Sequence, residues 1–327
     1  MIRLMSLLAT LTLVLFGVSL AIGPADVGLA QSLGALWQDH GTPLTLVMSE
    51  IRLPRALLAV MIGASLGLAG AAMQGYLRNP LAEPGLIGVS SSAALGAVLS
   101  LQTGFAAAFA LALPLSALAA ALLGVLLVLA LAGPRGASMT LILAGIAISA
   151  MAGALTSLVL NLSPNPYAAN EIVFWMMGSL ADRSMLHVAL ALPIMAVGWI
   201  LLGALGRGFD ALTLGEDAAK SLGINLGRLR LSLVVGTSCV VGAATAVAGA
   251  IGFVGLVVPH ILRPFVGGRP SRLLWASALG GAALVLAADI AVRLILPTRD
   301  LKIGVVMALI GAPLFLHLIY KTRKELA

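Results

Sequence analysis

Asp289 stands in the middle of an apolar run, AALVLAADIAVRLILP, with Arg293 four residues further on. A carboxylate at that depth can exchange a proton or hold a cation, so it is by default a candidate coupling site for transport. The arginine supports a different reading. At a separation of four residues both charges lie on one helical face, and the guanidinium can neutralise the carboxylate while reaching toward the interface. The structural pair is the stronger reading; the alternative makes the chain an ion-coupled carrier working through Asp289.

Other chemistry is sparse. Gly63–Ala64–Ser65–Leu66–Gly67 matches the letters of a nucleophile elbow. An elbow needs a strand-to-helix turn with histidine and acidic partners, and these residues lie inside an apolar helix. There the two glycines act instead as a small-xxx-small pair that lets helices approach. The four histidines are scattered and none stands at metal-ligand spacing, so no metal site is expected. The single cysteine, Cys239, excludes an internal disulfide. There is no Gly-Lys dipeptide, hence no phosphate-cradling P-loop. If transport consumes ATP, hydrolysis takes place on another chain.

The longest charged interval between apolar segments is 207–230, RGFDALTLGEDAAKSLGINLGRLR. A short helix is expected inside it. Thr213 and Glu216 fit a capping box. Glu216 and Asp217 fall in the first turn, where the helix dipole favours acid. Glu216 and Lys220 are an i,i+4 pair, and Gly223 offers a left-handed stop. Such a helix is either a docking element or part of a solvated connection.

These residues must be positioned by spans. Of 327 residues, 61% are hydrophobic and 9% charged, with a mean hydropathy of +1.11. That composition requires a bilayer as solvent. It also lacks the aromatic–basic interleaving of a nucleic-acid surface, so no nucleic-acid partner is expected. Ten apolar segments follow, at about 4–22, 54–75, 85–101, 105–132, 138–161, 185–205, 229–250, 251–267, 273–296 and 302–320. The first is read as a span rather than a signal peptide, because no small-x-small site follows it directly. The eighth is the weakest, being interrupted by Pro259 and Pro264. Ten spans put both termini on one side. That side collects thirteen of the nineteen basic residues, against six opposite, so the positive-inside rule assigns both termini and the 207–230 loop to the cytoplasm. Residues 23–53 become a polar external loop with Trp37 at the interface, and Ile172–Met177 lies along the outer surface. Residues 73–96, MQGYLRNPLAEPGLIGVSSSAALG, leave two readings open. One is a plain turn with Arg78 and Glu83 in water; the other is a re-entrant bend lining a pathway. Spacing alone favours the turn.

Several motifs occur together and in order: RLPR at 52–55, MQGYLRNPLAEPGLIGVS at 73–90, LGEDAAKSLGIN at 214–225, GFVGLVVPHILR at 252–263, AADIAV at 287–292 followed directly by Arg293, and IGVVMALIGAPLFL at 303–316. In this combination the chain resembles the permease subunits of ABC importers for iron–siderophores, haem and cobalamin, the FecCD or BtuC-like family. The resemblance runs from about Arg52 to Tyr320. It implies an all-α integral membrane protein, a single permease domain over 1–327 with ten transmembrane helices in the type II ABC importer fold. It implies a multi-pass subunit of the bacterial inner membrane. A second permease copy, two cytoplasmic ATPase subunits and a periplasmic binding protein are the implied partners. This chain would bind no cofactor; ATP and Mg would sit on the ATPase. Leu214, Gly215, Glu216, Asp217, Lys220 and Gly223 become the coupling segment. Arg52, Arg55 and Arg293 become docking residues for acidic groups of the binding protein. Asn79, Pro80, Leu81, Ser138 and Met139 map to the cytoplasmic gate, where Met139 is bulkier than the small polar residue expected.

Overall fold

The computed structural model describes residues 1–23, 34, 42–133, 138–163, 166–295 and 301–326. Trp37 and the 134–137 part of the basic turn lie outside them. Among the described residues the secondary structure is helical throughout.

Each expected span is present as a helix. They are α1 (Ile2–Ala21), α2 (Leu53–Leu77), α3 (Val89–Gln102), α4 (Ala112–Ala132), α5 (Ser138–Asn161), α7 (Met185–Gly203), α10 (Leu226–Ala248), α11 (Val254–Leu262), α12 (Pro270–Ile295) and α13 (Ile303–Leu326). Between them lie α6 (Pro166–Met176), α8 (Gly206–Leu212) and α9 (Glu216–Ser221). Helices α3 and α11 are too short to cross a bilayer alone, at 14 and 9 residues. Proline explains α11: Pro259 sits inside it, and Pro264 opens a 3-10 turn, Pro264–Val266, that ends it.

The expected loop before α2 is helical in its second half. Thr42 caps a short helix, Pro43–Leu46, by accepting the Thr45 N–H at 3.3 Å. A π turn over Val47–Arg52 then feeds into α2, placing the bulge where Pro54 withholds a backbone donor.

Helices α2 and α12 form the central pair. A Cβ added at Gly63 would strike the Gly281 carbonyl, and one added at Gly67 would strike that of Ser277. The close approach expected of Gly63 and Gly67 is therefore made to α12, with dispersion replacing the hydrophobic effect that lipid cannot supply. Ser65 is fully buried on this pair, and its oxygen accepts Trp199 Nε1–H at 2.9 Å. A structural hydrogen bond, with no nucleophile chemistry, accounts for it.

Residues 78–88 do not make a plain turn. Pro84 packs against Gly255 beside the Leu66 carbonyl. Leu66 lies eleven residues before the end of α2, about 16 Å back along its axis. The chain therefore leaves α2 at Arg78, in the left-handed region at φ 49°, and climbs back inward before α3 begins. Pro80 keeps α2 from continuing, Pro84 opens a short 3-10 turn, Pro84–Ile87, and the glycine at 255 leaves room for its ring. Irregular backbone at that depth must find partners within the protein. Glu83 supplies one. Expected in water, it is half-buried, and its Oε1 accepts the Phe253 N–H at 3.2 Å, at the start of α11.

Candidate functional site

The charged loop builds a small, well-seated platform. Helix α8 packs inward through Phe209, fully buried, whose ring lies against Gly75 in the last turn of α2. Helix α9 stands outside it, with only Ala219 buried. The predicted capping box is absent. Thr213 belongs to the end of α8 and gives its hydroxyl to the Asp210 carbonyl at 2.7 Å. Gly215, at φ 103°, takes the N-cap position without a side-chain bond. The predicted Glu216–Lys220 pair is replaced by Asp217–Lys220, i,i+3 at 3.1 Å, between exposed side chains. Gly223 stops the helix as expected, at φ 84°. Its N–H bonds Lys220 O at 2.9 Å and Ile224 N–H bonds Ala219 O at 3.0 Å, a Schellman arrangement. What α9 presents is Glu216, Asp217 and Lys220, flanked by exposed Leu214 and Leu222.

At the far end, three arginines and one aspartate gather around the C-terminus of α1. Asp289 is fully buried; Oδ1 accepts Arg55 Nε–H at 2.9 Å and Oδ2 lies 2.8 Å from Arg293 Nη2. The intrahelical pair is formed, with Arg55 as a second cation. Arg293 Nη1 also donates to the Ser19 and Ile22 carbonyls, both at 2.9 Å, and Nη2 to Ser19 Oγ at 2.6 Å. Arg52, expected at the outer surface, is only 3% exposed; its Nη1 donates to the Leu20 and Ala21 carbonyls, both at 3.0 Å. The reason is local. The last carbonyls of α1 have no intrahelical donors, and the negative end of its dipole attracts cations. One carboxylate and these carbonyls together balance three guanidiniums, one buried and two half-buried. Arg55 and Arg293 keep partial access, with side chains 18% and 12% exposed.

The profile of the FecCD transport family matches residues 11–321. The chain belongs to the FecCD transport family. It is 42% identical to the uncharacterized ABC transporter permease protein YvrB of Bacillus subtilis over 83% of this chain and 78% of that one. It is 40% identical to the cobalamin import system permease protein BtuC of Halobacterium salinarum, over 86% and 76%. It is 39% identical to the hemin transport system permease protein HmuU of Yersinia pestis, over 94% of each. Among solved structures, an inward-facing chain described as a metal-chelate type ABC transporter superposes with a TM-score of 0.87 at 31% identity, covering 98% of this chain and all of the other. These relatives are transport permeases, and the all-α permease fold is shared.

In this FecCD-family chain the mapped gate residues are separate in environment. Asn79 and Pro80 are exposed, and Asn79 Oδ1 accepts the Leu81 N–H at 2.9 Å, holding the bend. Met139 is 64% exposed near the start of α5, which Ser138 opens. Helix α5 meets the re-entrant stretch further in, where Gly145 faces the Leu86 carbonyl. Two further connections escaped the sequence reading. Gln74 is almost fully buried in α2; its Oε1 accepts Arg263 Nη2–H at 2.7 Å, tying α2 to the end of α11. Arg230 Nη2 donates to the Gly133 carbonyl at 2.6 Å, capping the C-terminus of α4. The signal available was polarity at positions that periodicity places inside, yet nothing in the sequence names the partners.

Proposed function

We propose that the chain is the permease subunit of an ATP-driven importer that carries a metal chelate into the cytoplasm. The observation that carries this reading is α9: a short helix held rigidly at its base and exposed along its charged face. Two ATPase subunits, each with ATP and Mg, would receive this helix and its copy in a second permease. The pathway would then lie on the two-fold axis between the copies. Glu216, Asp217 and Lys220 form the docking face, with Leu214 and Leu222 as apolar anchors. Closing of the ATPase dimer would displace α9 and re-aim the spans. The 13-to-6 distribution of basic residues supports both termini facing the cytoplasm of a bacterial inner membrane. A periplasmic binding protein would deliver the chelate and meet Arg55 and Arg293 with acidic groups. Cobalamin and hemin, named for the relatives, and iron–siderophores set the substrate class. Asn79, Pro80, Leu81, Ser138 and Met139 would form the inner gate.

A coupling ion at Asp289 is disfavoured, because both of its oxygens already face guanidiniums at under 3 Å. The test is a Glu216→Lys/Asp217→Lys double variant in the assembled transporter. Uptake should collapse while the permease dimer remains intact; normal uptake rejects the assignment of α9. Pull-down of the binding protein with its ligand identifies the chelate.

A further inference from the structure

Asp210 is the one acidic residue of the charged loop that is half-buried. It sits in the last turn of α8, where a carboxylate opposes the dipole of its own helix. The favourable interaction is with another helix. Oδ1 accepts the Ser271 N–H at 2.9 Å and Oδ2 accepts the Ser271 O–H at 2.6 Å. Ser271 is the second residue of α12, whose first backbone donors have no intrahelical acceptor. The carboxylate thus caps a 26-residue helix from a distant part of the chain, with charge-assisted bonds.

The surroundings make this contact mechanical. Gly206 brings the start of α8 against Ser271, and Gly208 accepts Leu229 of α10. Phe209 fills the space beside Gly75 of α2. From there α2 and α12 run together through the close contacts at Gly67–Ser277 and Gly63–Gly281, and they meet again where Arg55 reaches Asp289. Helix α8 therefore carries α9 on one side and touches the α2–α12 pair on the other. Phe209 makes that second contact by packing, which permits sliding, whereas Asp210 makes it by two directed bonds.

We infer that Asp210 is the latch that transmits displacement of α9 to the α2–α12 pair. This rests on α9 being the ATPase docking helix. Asp210 acts through Ser271 and is a positioning residue.

The test uses the permease in nanodiscs with its ATPase, followed by hydrogen exchange with and without ATP plus vanadate, which needs no chelate. In the native complex, trapping should change exchange in α9 and in the cytoplasmic halves of α2 and α12. In Asp210→Ala the ATPase should still bind, and the change should remain at α9 but shrink in α12 by roughly fivefold or more. Without nucleotide, residues 206–224 should exchange about tenfold faster, as expected for losing a bond to a charged group. Ser271→Ala removes one of the two bonds and should act in the same direction more weakly, which keeps the test decisive if Asp210→Ala does not fold. An undiminished response of α12 in either variant overturns the latch, as does a native complex in which trapping leaves α12 unchanged. Failure of the docking reading is seen separately: Glu216→Lys/Asp217→Lys would then bind the ATPase as well as the native chain.

Discussion

Replacing Asp289 by alanine leaves Arg55 and Arg293 facing each other inside the protein without their shared counter-charge. Breaking one side of a buried ion pair costs about 3–5 kcal/mol, because the remaining charge has been taken out of water. Arg293 keeps three bonds to Ser19 and Ile22, which places the loss at the lower end, about 3 kcal/mol. For a chain of this size that corresponds to a fall in Tm of about 5 °C, readable from tryptophan fluorescence in mild detergent. Asp289→Asn can still accept one guanidinium bond and should lose less, about 2 kcal/mol. Adding Arg55→Leu to Asp289→Leu removes charge from both sides, so the pair should be less destabilised than the sum of the single changes. Uptake by each variant should follow the amount of folded transporter. An Asp289→Asn protein as stable as the native one that had lost uptake would refute this reasoning and make the carboxylate an ion site.

Gly67→Leu should prevent assembly of α2 on α12, since its first side-chain atom already meets the Ser277 carbonyl; folded yield after membrane extraction reports it. Ser65→Ala removes the acceptor of Trp199 and should cost about 1 kcal/mol, with a shift in tryptophan emission. Glu83→Ala frees the Phe253 N–H inside the re-entrant region and should cost about 1–3 kcal/mol, with Glu83→Gln closer to native; equal Tm values for all three would show that the bond contributes nothing. Binding-protein affinity should fall as salt rises and fall further in Arg55→Gln, as charge contacts within a Debye length require; a salt-independent affinity removes the docking role.

Much was readable from the chain alone. Each of the ten apolar segments contains a helix, because a bilayer leaves few alternatives for apolar backbone, although α3 and α11 are too short to cross one alone. The charge pair Asp289–Arg293 and the glycine stop at 223 are local properties, and local geometry realised them, whereas the small residues at Gly63 and Gly67 share a face locally but meet a distant partner on α12. Where the reading failed, a competing partner had intervened, adjacent for Thr213 and further along the chain for Arg52 and Pro84. Thr213 looked like an N-cap until α8 claimed it as its own end. Arg52 looked external until the orphan carbonyls of α1 drew it inside. Residues 78–88 looked like a turn, and only the small space at Gly255 let Pro84 return to the middle of α2. Spacing along a chain records which groups share a face, and hydropathy records which solvent they meet. Which carbonyl a guanidinium caps, and which helix a carboxylate holds, depends on segments tens to hundreds of residues apart meeting in space, as Arg52 meets Leu20 and Arg55 meets Asp289. That meeting was decided by the tertiary structure.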